Sequence, residues 1–411
     1  MSTAIKEEVS FDEACAFVVK LGTLVHGYGT NAIRLESYLG RLTEALGFQG
    51  VFRSTPTEMY FAFSRPGELW QRMHLVTMPG TGLELNRLGK IDGLIDAIAA
   101  RQVSLAEATD RLDEIDKTPH PWGPTANALG YAFAGSGFAV LLGGSSWDVA
   151  LSALFSLVVF AMVAWSGRLG VRTAAWLPLS TAFVAGGLTA SAKLVVPELN
   201  GVLVTLSAIL ILIPGYPISV GVIEIVCGRA ASGTANLVSG LVYLAKQFSG
   251  AWLGVGLVGL CCLIPDAAGT PVRSEWLWLF MPLLIAALCV VFQTGKSDFL
   301  WAVLGCGLAY GGILLGGEIA GANLGNLVGT IIAVCYANLW ARKTNRPTSI
   351  VLLPAIVLLV SGSIGFRGLA AAATGDSATG AQQFLQMFVV ALTIAAGLLV
   401  GNTIVRPKAT L

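Results

Sequence analysis

The sequence predicts a mainly α-helical membrane protein. Ten transmembrane helices form two inverted five-helix repeats with broken helices, after a small N-terminal cytoplasmic α+β domain. Three observations carry this reading. Of the 411 residues, 55% are hydrophobic and 12% charged, about half the ~25% of a soluble domain, which excludes an ordinary soluble enzyme and a disordered chain. The charge is also uneven: residues 1–124 hold 12 basic and 16 acidic side chains, residues 125–411 hold 13 and 8. Finally, apolar segments of membrane-crossing length recur to the end of the chain, and two carry matching interruptions. A net charge of +1 gives no global field, so no nucleic-acid partner is expected.

Residues 1–117 are the expected cytoplasmic domain. Lys6, Glu7, Glu8, Asp12 and Glu13 crowd its start and leave no apolar leader, so it is expected to stay in the cytoplasm. Phe17, Leu21, Leu24, Val25, Ala32, Leu35, Leu39, Leu42 and Leu46 recur near helical spacing and predict one helix over 10–47, with Gly47 as its stop. Val51–Ser54, Met59–Ser64 and Met73–Thr77 read as short strands between Pro and Gly. Helices near 83–100 and 104–116 follow, the second opened by a Ser104/Glu107 capping box. Gly80-Thr81-Gly82 reads as a turn.

One stretch breaks the pattern. Between Gly22 and Glu36, Gly27 and Gly29 interrupt a helix at about 1 kcal/mol each. Either they permit close packing beside a solvated face, or the helix breaks there to approach a ligand or the membrane domain. The stretch carries His26, Tyr28, Arg34 and Glu36; the last two, two residues apart, face different sides. Three histidines give no metal constellation, and no phosphate, dinucleotide or nucleophile motif is present, so neither metal nor cofactor is expected. The seven cysteines lack CxxC spacing and read as small buried apolar side chains.

Residues 118–125 are a linker whose three prolines cannot continue a helix, with Trp122 suited to a membrane interface. Apolar segments then fall at 126–143, 148–166, 175–196, 199–228, 235–264, 276–293, 299–316, 320–341, 349–373 and 383–405. They divide into repeats at 126–264 and 276–406. With the N-terminus in the cytoplasm, ten spans return the C-terminus there. The positive-inside rule agrees. Arg168, Arg172, Lys296, Arg342, Lys343, Arg346, Arg406 and Lys408 fall in inner loops. Asp148, Glu198, Asp266, Arg273, Glu275 and Asp376 fall in outer ones.

The repeat rests on Leu212-Ile-Pro-Gly215 and Leu359-Val-Ser-Gly362, each midway along an apolar segment. Small polar patches, Gly228–Gly233 and Gly375–Gly380, follow at similar distances. The glycines Gly215 and Gly362 are 147 residues apart. Five spans per half invert the second, an organisation typical of secondary transporters with midplane sites. Pro214 and Pro217 free backbone groups within a span. Ionisable groups in spans are candidate sites by default: Glu224, on the first broken segment, Arg229 after it, and Arg367 after the second break. Ser219 lies beside Pro217, and Asn323 and Asn326 share a helix face.

These motifs resemble the threonine/serine exporter family over nearly the whole chain. The N-terminal signature looks like Gly22…His26-Gly-Tyr28-Gly29…Arg34-Leu-Glu36, then Thr55-Pro56-Thr57 before a strand. The first membrane signature resembles Pro214-Gly215, Glu224, Gly228 and Gly233, and the second Gly362-Ser-Ile-Gly-Phe-Arg367. Two departures stand out: Glu224 replaces the usual Asp, and Ser361-Gly362 replaces a second Pro-Gly. The resemblance implies a non-enzymatic, multi-pass exporter in a bacterial inner membrane, both termini cytoplasmic. Its small-molecule substrate is expected to be threonine or serine, driven by a coupling proton. Split relatives are implicated in succinate export, so a dicarboxylate exporter is the alternative. A membrane-anchored enzyme or sensor acting through residues 1–117 is the alternative of another class. The lipid bilayer is an expected partner, and a homo-oligomer is left open. The expected substrate site combines Pro214, Gly215, Ser219, Glu224, Arg229, Asn323, Asn326, Ser361, Gly362 and Arg367. Arg367 or helix N-termini would hold a carboxylate, and Glu224 an ammonium or a proton.

Overall fold

The computed structural model describes residues 10–78, 82–168, 175–265, 267, 269–359 and 362–407. Of the residues named above, Lys6, Glu7, Glu8, Gly80, Thr81, Arg172, Asp266, Ser361 and Lys408 lie outside the described residues.

The chain opens with α1 (Phe11–Gly27) and α2 (Ala32–Ala45). They pack on an antiparallel sheet of β1 (Gln49–Ser54), β2 (Glu58–Ser64) and β3 (Arg72–Thr77), in the order β1-β2-β3. α3 (Leu85–Ala99) and α4 (Leu105–Lys117) follow. Strand alternation sends Phe52, Met59, Phe61 and Phe63 to one face, where they bury against Leu21, Leu35, Leu39 and Leu42. Each such side chain contributes about 1.5–3 kcal/mol of burial.

The helix expected over 10–47 is two helices. Gly29 sits in the left-handed region at φ +90°, and a β-carbon there would lie 2.5 Å from the Gly82 carbonyl oxygen. Asn31 then caps α2, its side chain accepting from Arg34 N at 2.9 Å. Periodicity missed the break because the apolar stripe keeps its phase across it. Only half of the expected capping box forms at α4: Ser104 accepts from Glu107 N, but the Glu107 carboxylate pairs with Arg111 at 2.6 Å.

Pro124 begins α5 (Pro124–Leu141), where its missing N–H costs nothing. The Trp122 indole N–H donates to the Thr294 carbonyl at 2.7 Å, tying the linker to a later turn. Then come α6 (Ser146–Ser166), α7 (Leu177–Lys193), α8 (Gly201–Ala208), a 3-10 turn at Leu210–Leu212, α9 (Gly215–Val226) and α10 (Ala230–Cys261). The rest is α11 (Trp276–Val291), α12 (Phe299–Ala320), α13 (Ala322–Thr344), α14 (Ser349–Leu359), α15 (Gly362–Ala373) and α16 (Ser377–Ile404).

Among the described residues, six stretches are long and apolar enough to cross a membrane: α6, α10, most of α12 and α13, the α14–α15 stretch, and α16. The α8–α9 pair, bent by 64° at its break, makes a seventh, and α11 is apolar but shorter. Against the ten spans expected, length and composition thus give six or seven among the described residues. Leu253, Leu257, Leu260, Leu300, Leu314 and Leu385 leave these helices exposed, as a lipid-facing surface does.

The 147-residue spacing recurs in the helices themselves. It carries α9 onto α15 at both ends, and the start of α10 onto the start of α16. Gly228 and Gly375 end the two short helices with φ +78° and +95°. A β-carbon on Gly221 would lie 2.8 Å from the Gly233 oxygen, and one on Gly368 3.0 Å from the Gly380 oxygen. The same close helix approach is therefore built twice.

Candidate functional site

The two breaks meet. A β-carbon on Gly362 would lie 2.8 Å from Gly215 Cα and 2.6 Å from Ile213 Cγ2. The first turns of α9 and α15 are therefore in contact. Each presents the positive end of its dipole; in α9 the Gly215 N–H is already bonded to the Ile213 carbonyl at 2.8 Å and Pro217 has no N–H, which leaves Tyr216 N. Pro214 is the N-cap of α9 and has no N–H to give. At the bend, the carbonyl of Leu212 is satisfied from another helix: fully buried Gln247 of α10 donates its amide at 3.1 Å. Sequence reasoning passed over Gln247, although a lone amide inside an apolar segment was the available signal.

A cavity of about 740 Å³ opens at this junction. Pro214, Gly215, Tyr216 and Pro217 line it from the first break, Gly362 and Ser363 from the second, and Ser232, Asn236, Ser239 and Tyr243 from α10. Its remaining polar wall comes from the N-terminal segment: His26, Thr30, Asn31, Ser54, Thr55 and Thr57. The motif at Gly22–Glu36 breaks its helix where it meets the membrane region, one of the two readings left open above.

Glu224 lies beside this wall, fully buried, and its carboxylate takes three donors. Oε1 accepts from Ala32 N at 3.0 Å, the first residue of α2. Oε2 accepts from Ser232 Oγ at 2.7 Å and Asn236 Nδ2 at 2.8 Å. Ser232 and Asn236, four apart, present one helical face, a spacing already visible in the sequence. One turn on, Arg229 pairs with Glu36 of α2 at 3.1 Å. The buried Glu36 also accepts from Arg53 at 3.1 Å and from Ser54 N at 3.1 Å. Two backbone bonds extend the junction, Leu85 N to Phe292 O at 3.1 Å and Asn86 N to Gln293 O at 3.0 Å.

The other motif residues brace the break. His26 donates Nε2–H to the Thr55 carbonyl at 2.8 Å. Burial pushes its pKa below the usual histidine value, the Thr55 contact offsetting part of this. Tyr28 donates to Asp116 at 2.6 Å, and burial raises its pKa. Arg34 donates to the Tyr38 oxygen at 2.8 Å, and Tyr38 donates to Asp92 at 2.8 Å. Burial pushes the Tyr38 hydroxyl up to about 12.

The expected set is only partly assembled. Pro214, Gly215 and Gly362 line the cavity, and Glu224 and Arg229 stand behind its wall. Ser219, Asn326 and Arg367 are not among the lining residues. Ser219 is fully buried, and the Asn326 carbonyl accepts from Thr330 within α13. Asn323 falls in the first turn of α13, and Ser361 lies outside the described residues. Missed on the sequence were Tyr216, Ser232, Asn236, Thr30 and Asn31, polar residues too common to stand out without the fold.

Residues 16–258 match the family model of the threonine/serine exporters. Residues 277–404 match a second model, "Threonine/Serine exporter, ThrE". The chain belongs to the threonine/serine exporter family. Among similar proteins is the "Probable threonine/serine exporter" of Mycobacterium tuberculosis, 27% identical over 79% of this chain and 63% of its own. The "Threonine/serine exporter" of Corynebacterium glutamicum is 24% identical over 78% and 67%. An uncharacterised protein of Schizosaccharomyces pombe is 21% identical over 86% of this chain and 48% of its own. The chain thus spans about half to two thirds of the length of these relatives. No solved structure matches it.

Proposed function

We propose that this threonine/serine exporter family member is a secondary transporter. It moves threonine or serine out of the cell through the cavity where its two broken helices meet. One observation carries the proposal: Gly215 and Gly362, 147 residues apart, touch at the wall of a cavity that the N-terminal segment also lines. The recurrence of the 147-residue spacing in helix ends and glycine contacts supports two five-helix repeats of opposite orientation and ten spans in all. Rocking of one repeat against the other would open the site alternately to each side.

In this reading residues 1–117 lie in the cytoplasm of a bacterium and face the inward mouth. The substrate carboxylate binds at the paired half-helix N-termini, whose dipoles, with the Tyr216 N–H of α9, favour an anion. Arg367 stands off the cavity and is not assigned to the carboxylate. Glu224 is the coupling-proton site. Three protein donors hold its carboxylate, so it acts by holding α2 rather than by touching the cargo. A proton on Glu224 would weaken its acceptor strength and release the N-terminal segment from the mouth.

Counterflow tests the function. Purified protein in proteoliposomes loaded with unlabelled threonine, serine or succinate is offered the same compound in labelled form, with and without a pH gradient. Accumulation driven by internal threonine or serine, enhanced by the gradient, is expected. Accumulation driven by succinate alone would replace the amino-acid reading with the dicarboxylate one. No counterflow with any of the three would overturn both.

A further inference from the structure

The cavity has a second wall, which the polar residues described above do not account for. Leu141 at the end of α5, Leu210 and Ile211 of the 3-10 turn, Leu288 of α11, and Val357 and Leu358 of α14 line it. All but Leu288 are only partly buried, so this wall still has apolar surface to cover. The six residues are three pairs at the 147-residue spacing of the two breaks: Leu141 with Leu288, Leu210 with Val357, and Ile211 with Leu358. Each half of the chain thus supplies the same three positions. The polar residues of α10 are not paired in this way. Ser232, Asn236 and Tyr243 correspond at that spacing to Thr379, Gln383 and Val390, none of which lines the cavity.

Charge is missing from both walls. Among the described residues that line the cavity, none is Asp, Glu, Lys or Arg. A cargo with an ionised side chain would lose its water there and gain no counter-charge. Size decides what the apolar wall is for. At about 740 Å³ the cavity lies within the ~300–1,000 Å³ of pockets that enclose drug-sized molecules. Serine has no methyl group and threonine has one, so neither covers three pairs of aliphatic side chains.

We propose that the same cavity also carries neutral amino acids with longer aliphatic side chains, of the valine, leucine and methionine class, the side chain lying against the paired wall. The inference rests on the transport reading above and extends its cargo. The α-carboxylate sits as proposed for threonine, and the difference between cargoes is the apolar area each one buries.

Trans-stimulation in proteoliposomes tests this with the full chain. Vesicles are loaded with alanine, 2-aminobutyrate, norvaline or norleucine, which differ by one methylene at a time, and each drives uptake of labelled threonine. The internal half-saturation should fall by about four-fold for each added methylene, at least as far as norvaline. Aspartate and lysine should drive no uptake. A half-saturation that stays flat or rises along the series, in protein that exchanges threonine for threonine, overturns the inference. So does uptake driven as well by aspartate or lysine as by norvaline. These comparisons need no variant. Ile211→Asn and Leu358→Asn each place a polar group in one pair of the wall, and the gain per methylene should drop below about two-fold. A purely structural loss would weaken every internal amino acid together and keep the wild-type gain. An unchanged gain in an active variant therefore overturns the role given to the wall. Failure of threonine–threonine exchange in wild type would instead overturn the underlying transport reading.

Discussion

The carboxylate of Glu224 accepts a hydrogen bond from the backbone N–H of Ala32 at 3.0 Å, across 192 residues of sequence. The side chain sits on the broken span and the N–H is the first of α2, so a membrane-region acid closes the start of an N-terminal helix. Negative charge is favourable at that end of a helix, and burial removes competing water. The contact joins the two parts of the chain beside the cavity.

Glu224→Ala leaves Ala32 N, Ser232 Oγ and Asn236 Nδ2 without their acceptor. Each orphaned buried donor costs about 1–3 kcal/mol, so the thermal midpoint of the full chain in detergent should fall by several degrees. Glu224→Gln keeps one acceptor oxygen but cannot take up a proton. It should retain counterflow and lose enhancement by the pH gradient. Unchanged gradient-driven flux in this variant would remove Glu224 from coupling.

Glu36 and Arg229 should contribute asymmetrically. Arg229→Ala removes the more exposed partner of the pair and leaves buried Glu36 still held by Arg53 and Ser54 N, a loss of about 0.2–1 kcal/mol. Glu36→Ala also strands Ser54 N and Arg53, and should cost clearly more. A double-mutant cycle read by thermal denaturation would give a coupling energy near ~1 kcal/mol. Equal single-variant losses would contradict the arrangement.

Gly362→Ala places a methyl group 2.8 Å from Gly215 Cα, a backbone atom that cannot step aside. Overpacking of this kind costs about 1–3 kcal/mol, and transport should fall with it. Gly307→Ala is the control: a β-carbon there meets nothing within 4 Å, so stability and counterflow should stay at wild-type values.

His26 has a pH signature. Burial lowers its pKa in the folded chain, so the unfolded chain takes up the proton first as pH falls through about 6.5. Above that pH both states are neutral and His26 adds no pH dependence. Below it, folded stability declines until the folded pKa is reached. Thermal midpoints between pH 7.5 and 5.5 should drop by more for wild type than for His26→Gln.

Much of this was legible in the sequence, for reasons that can be named. The breaks at Pro214-Gly215 and Gly362 were visible because proline and glycine inside apolar segments contradict the surrounding helix. The three strands were visible because alternating apolar residues lie between Pro and Gly. The turn at Gly29 was ambiguous: two glycines lower helix propensity without saying that Gly82 would press against one of them. The partnership of Glu36 with Arg229 was not legible, since nothing local links residues separated by 193 positions. Glu224 was found because an acid in a span is costly. Its partners were not, because Ser232, Asn236 and the Ala32 N–H are ordinary groups until the fold converges them. Arg367 was drawn into the site by the same cost argument, which gives no direction, and it stands away from the cavity.

The central claim is that cargo occupies the cavity where the two breaks meet. Thiol labelling tests it most directly. In a background without the seven native cysteines, Ser363→Cys places a reactive group on the cavity wall, and Gly307→Cys places one away from it. Threonine should slow labelling at position 363, half-maximally at its counterflow half-saturation, and leave position 307 untouched. Labelling at 363 that ignores threonine, in a variant that still transports it, would contradict the account.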